Sequence, residues 1–162
     1  MRLAAEAPLW LAVIFALLLV AAAAEDAVRL RISNVLCVAI LAAAFVAIAI
    51  AGPERALWQN VVVFGTLLTV GTALFAAGRL GGGDVKLLAA TGLWFDIRGG
   101  AVMLTSVLLA GGVLALVILA FRLFHWSDKA LGRVRVLNAG SGIPYGIAIA
   151  IGALVTTATL RG

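Results

Sequence analysis

The chain has 162 residues, 65% of them hydrophobic, with a mean hydropathy of +1.21, a composition that soluble globular domains do not approach. Its net charge of +5 would point to nucleic acid in a soluble protein, but the basic residues stand in short stretches between apolar runs. They read as topology signals, so the implied partner is a lipid bilayer and no nucleic acid is expected. One cysteine, Cys37, and one histidine, His125, leave no basis for an internal disulfide framework, a thiolate metal site or zinc chemistry built on several histidines.

The length suits one membrane-embedded domain over residues 1–162, an all-α polytopic helical bundle. Leu9 to Ala24 is the first apolar run, followed by Glu25, Asp26, Arg29 and Arg31. The alanines ahead of Glu25 suit a signal-peptide cleavage site, but Arg2 against Glu6 makes no basic leading region, so a retained helix is expected. Val35 to Ala51 is the second run and ends in the turn Gly52-Pro53-Glu54-Arg55. Leu57 to Ala77, the third, has about the length that crosses a hydrocarbon core. The fourth, Val85 to Phe95, would span roughly half of one at a helical rise of about 1.5 Å per residue. Ala101 to Leu123 and Ile143 to Leu160 are the fifth and sixth, separated by a linker holding Arg122, Lys129, Arg133 and Arg135.

Charge counting resolves the short fourth run. With six crossings, Arg29, Arg31, Arg79, Lys86, Arg122, Lys129, Arg133 and Arg135 share one side, against Arg2, Arg55, Arg98 and Arg161. With five crossings the twelve basic residues divide evenly. Six transmembrane segments are therefore expected, with both termini outside the cytoplasm. The glycine-led fourth helix is expected beside a thinned or water-filled part of the bundle.

Chemistry concentrates at Gly81-Gly82-Gly83-Asp84-Val85-Lys86, a carboxylate and an ammonium group among oily segments. An ionisable group there costs about 2.5 to 3.5 kcal/mol on insertion scales and needs a partner, water or a function. The glycines, Gly81 and Gly83 among them, leave room for another polypeptide to approach the carboxylate. The plainer reading is that Asp84 caps the helix starting at Val85. Two crossings separate Asp26 from Asp84, so both face the cytoplasmic boundary, while Glu6, Glu54 and Asp96 fall on the other side. Glu25 and Asp26 are about 100° apart on a helix, so one of them faces the bundle, and the sequence leaves open which. Asp128 beside Lys129 reads as solvated. Two carboxyl groups sharing a proton can hydrolyse an amide without metal, cofactor or covalent nucleophile, one as base on water and the other as acid. Ser33, Ser106, Ser127 and Ser141 sit in no nucleophile-elbow pattern.

Gly81-Gly82-Gly83-Asp84-Val85-Lys86 resembles the Gly-x-Gly-Asp motif of intramembrane-type aspartic peptidases and, with the following lysine, the type IV prepilin peptidases. Asp26 followed by Arg31-Ile32-Ser33-Asn34 resembles that family's first aspartate region, with Ser33 in place of its proline. Gly142-Ile143-Pro144-Tyr145-Gly146-Ile147-Ala148 is similar to its last helix. The resemblance implies catalysis by Asp26 and Asp84, a prepilin substrate with a basic leader and a hydrophobic helix, and cleavage after a glycine at the cytoplasmic face of a prokaryotic inner membrane. Larger members insert a region with paired Cys-x-x-Cys motifs after the first helix and also methylate their product. Here only residues 25–33 occupy that place, so the compact form is similar to peptidases of Flp-type, tight-adherence pilus systems, without methyltransferase activity, and with other pilus-assembly proteins as possible neighbours.

Other residues have simpler expectations beside functional ones. Lys86 holds the leader, tunes the two aspartates or snorkels to the interface. Arg31 and Asn34 support Asp26, or cap and anchor the second segment, which is the preferred reading. Gly78 with Gly82, and Gly142 with Gly146, suit close helix packing. Trp10, Trp58, Trp94 and Trp126 read as an aromatic belt, and Pro144 suits a first helical turn. The competing functions are a small transporter or proton- or cation-conducting bundle built on the same aspartates, and an inactive pilus-assembly scaffold.

Overall fold

The computed structural model describes residues 2–52, 54–123 and 143–162. Lys129, Arg133 and Arg135 of the basic linker, with His125, Trp126, Ser127, Asp128, Ser141 and Gly142, lie outside the described residues. Seven helices and no strand occur among the described residues: α1 Leu3–Glu6, α2 Leu9–Arg29, α3 Asn34–Ala51, α4 Leu57–Ala76, α5 Gly82–Gly92, α6 Ile97–Leu123 and α7 Tyr145–Arg161. Four are long and apolar enough to cross a membrane: α2, α3, α4 and α6 over Ile97–Phe121. With 17 and 11 residues, α7 and α5 are shorter. Of the six expected crossings, these four are the ones that length and composition support among the described residues.

Each long helix is apolar nearly all round, and burial picks out its inner stripe. On α2 that stripe is Leu11, Phe15, Leu19, Ala22 and Asp26, at helical spacings of three and four, while Leu9, Val13, Leu17 and Val20 face outward. The helix continues beyond the apolar run, carrying Glu25 and Asp26 inside it, and stops at Leu30, whose φ of +52° is left-handed. A branched side chain in that region costs about 1 to 2 kcal/mol, and it turns the chain sharply into α3. Alanines on α3 and glycines on α6 and α7 allow close approach. A Cβ at Gly152 of α7 would stand 2.6 Å from the Val107 backbone nitrogen, so α6 and α7 touch nearly backbone to backbone.

The short α5 is completed by an unexpected element. Its end is followed by Trp94, fully buried, which stacks on Phe15 at 4.1 Å and 16° and donates its indole N–H to the Ile40 carbonyl at 3.2 Å. Trp94 is therefore a core residue and not part of an interfacial belt, whereas Trp10 and Trp58 are exposed as the belt requires. The four-residue α1 tucks in here, with Leu3 and Ala4 buried and the Ala4 N–H bonded to the Trp94 carbonyl at 3.0 Å. Gly78 also departs from expectation. Its φ of +69° and empty surroundings make it a turn residue at the end of α4, not a packing surface. Gly82 does pack, since a Cβ there would meet the Phe75 ring at 3.3 Å. Pro144 immediately precedes α7, as its N-cap.

Candidate active site

The α2–α3 turn, the start of α5 and the start of α7 meet at one end of the bundle. Asp26, on the last full turn of α2, is 4% exposed, and its carboxylate accepts the Gly146 backbone N–H at 2.7 Å. Gly146 is in the first turn of α7, where backbone amides lack helical acceptors, so Asp26 serves as a cap supplied by another helix and lies where the helix dipole favours negative charge. A side chain at 146 would not fit: its Cβ would stand 2.8 Å from Asp26 Oδ2 and 3.0 Å from Ile32 Cδ1.

Glu25 points elsewhere. It accepts the Ser33 backbone N–H at 3.0 Å and pairs with Arg29 at 3.3 Å, which fastens the turn between α2 and α3. Two adjacent acids thus take two tasks by rotation about the helix alone, Asp26 inward and Glu25 on the connection.

Asp84 belongs to the first turn of α5, which begins at Gly82, one residue after its N-cap Gly81 and three before Val85. Asp84 is thus not the cap residue; it stands at the third helical position, where the acidic side chain of a capping box stands. The glycines fit around it. A Cβ at Gly81 would lie 2.6 Å from Asp84 Oδ2, and one at Gly83 would lie 3.2 Å from the Ile32 side chain, so the turn lies directly on α5.

Asp26 and Asp84 line one open cavity of about 360 Å³. Arg31, Asn34, Gly81, Gly83 and Lys86 line it as well, together with Leu30, Ile32 and Gly82. Lys86 Nζ donates to Asn34 Oδ1 at 2.9 Å, tying α5 to α3 across the rim. The Asn34 side chain therefore does not cap α3, and Ser33, at the cap position, makes no side-chain cap bond either. The sequence singled out Gly146 for close helix packing, which its crowded surroundings bear out, but not as a donor to Asp26. Its signal was the Gly-Ile-Pro-Tyr-Gly stretch, but nothing local ties that stretch to a carboxylate 120 residues earlier. Among the described residues no three His, Cys, Asp or Glu side chains gather as a metal site would require.

Two carboxylates lining one open cavity, one of them held by a backbone amide, are an arrangement suited to general acid–base hydrolysis. No curated protein and no solved structure matches the chain. The type IV leader peptidase family does match, over residues 13–120, a span that contains α3, α4 and α5, most of α2 and α6, and both cavity aspartates. The chain belongs to the type IV leader peptidase family.

Proposed function

We propose that this chain is an aspartic-type endopeptidase that removes the leader from Flp-type prepilins at the cytoplasmic face of a prokaryotic inner membrane, with Asp26 and Asp84 as its catalytic residues. The observation that carries the reading is that these two side chains, from different helices, open into the same cavity. One carboxylate takes a proton from a water molecule as its oxygen attacks the scissile carbonyl carbon. The other, protonated, gives its proton to the leaving amine as the C–N bond breaks. Like charges so placed resist ionising together, which supplies both protonation states at once.

The remaining parts have matching tasks. The Gly146 amide orients the Asp26 carboxylate; Arg31 and Lys86 give the rim its positive charge. The short connection 30–33 supports a compact peptidase without methyltransferase activity, since no chain is available there for an inserted region. Residues 26 and 84 share the cavity end of the bundle, while Arg2 pairs with Asp96 and Arg161 bonds to α1 at the other, which supports non-cytoplasmic termini and six passages with α5 as the short one. A midplane transport site is less well supported, because both acids lie near helix ends.

The test is leader removal from a Flp-type prepilin by the purified protein in liposomes. Cleavage by the parent and none by Asp26→Asn or Asp84→Asn is expected; undiminished cleavage by either variant would sink that residue's catalytic role.

A further inference from the structure

The α4 helix is packed on one side. Asn60 and Gly71 are its buried residues, while Val61, Val70, Leu74 and Phe75 point outward. Lipid covers such a face without further explanation. Where the face meets α5, however, Leu68, Thr72 and Phe75 form with Gly82, Val85 and Lys86 a groove of about 220 Å³. Gly82 and Lys86 also belong to the wall of the carboxylate cavity, so the groove adjoins it. The apolar grooves between α6 and α7, around Val113 and Gly152, and between α4 and α6, around Val63 and Gly100, share no wall residue with that cavity.

A bond to be hydrolysed has to be extended and free of helical hydrogen bonds, while an apolar helix next to it has to leave the cavity along an apolar surface. The α4–α5 groove offers that exit. Leu68, Thr72 and Phe75 mark successive turns over about 10 Å of α4, the rise of two turns of a second helix. At the seam Gly82 presents backbone instead of a side chain, and Lys86, bonded to Asn34, marks the change from apolar to polar lining. Resting on the peptidase reading above, we propose that this groove receives the first turns of the substrate's membrane helix, so that the bond preceding the helix hangs between Asp26 and Asp84.

The test uses the full chain in liposomes and two probes with the same basic leader and scissile bond. One continues into an apolar helix of about 20 residues, and the other stops shortly after the bond. Thr72→Trp fills the groove from an exposed position, and Val113→Trp fills the α6–α7 groove as a control. Thr72→Trp is expected to raise KM for the helix-bearing probe about tenfold or more with kcat little changed, and to leave the short probe unaffected. Val113→Trp should alter neither. A benzophenone side chain at position 72 should crosslink the helix-bearing probe, in the Asp84→Asn background as well.

An unchanged KM with Thr72→Trp, equal slowing of both probes, or crosslinks from position 72 to lipid alone would overturn the groove. If the parent leaves the short probe uncut, the crosslink decides: probe captured supports the groove, and probe not captured overturns it. Undiminished cleavage by Asp26→Asn and Asp84→Asn would instead sink the catalytic role of the aspartates, and a parent that cuts normally while Thr72→Trp does so too sinks only the groove.

Discussion

The two ends of the bundle treat polar groups in opposite ways. At the end away from the cavity, Arg161 donates to the carbonyls of Ala4 and Ala7, each at 2.7 Å, and Arg2 pairs with Asp96, which also accepts the Gly99 N–H at 2.7 Å and so caps α6. Inward of these, the Asn60 amide donates to the Leu93 carbonyl and Trp94 to Ile40. These bonds join α1, the α5–α6 connection and the last turn of α7 into a plug. At the cavity end, Asp26 holds one backbone amide and, with the half-buried Asp84, lines the open cavity, where no ion pair engages either carboxylate among the described residues. A polar group that is fully satisfied contributes to stability, and one left with free capacity beside water is available for chemistry.

That contrast can be broken from either side. Replacing either aspartate by asparagine keeps shape and removes the acid–base group, so prepilin cleavage should fall roughly 100- to 10,000-fold with little change in the melting temperature. Trp94→Ala, at the other end, should do the reverse: a loss of about 3 to 5 kcal/mol in a denaturation series, with residual folded protein still cutting its substrate. Gly146→Ala sharpens the comparison, because its Cβ intrudes on Asp26 Oδ2; cleavage should drop about tenfold or more, more than stability does. Arg161→Ala, which removes the bonds to α1, should cost about 1 to 3 kcal/mol and leave kcat unchanged. Chelators should have the smallest effect, with no loss of cleavage in EDTA. Equal loss of activity and stability at both ends would show that the division drawn here is false.

Physical cause decided which parts of this were legible in the sequence. The count of crossings placed Asp26 and Asp84 on one end, since parity depends only on apolar run number. The choice between Glu25 and Asp26 was not legible, because in lipid the outward positions Val13, Leu17 and Val20 are as apolar as the inward Phe15 and Leu19, and the stripe that ends at Asp26 is masked. Trp94 was misread because a tryptophan near a segment end satisfies the belt pattern, whereas here the short helix leaves it beneath α5 in the middle of the core. The helix Leu3–Glu6 gave no signal, being one turn long and held by tertiary contacts alone. Asn34 lost its expected capping task to Lys86, a partner 52 residues away that no local pattern can announce.

The bond from Gly146 to Asp26 closes over a separation of 120 residues. During synthesis the first aspartate emerges early and waits without its amide until α7 has joined the bundle. A ribosome-bound fragment ending before Tyr145 should therefore be inert toward pilin precursors already in the membrane, with any cutting ability waiting on the docking of α7.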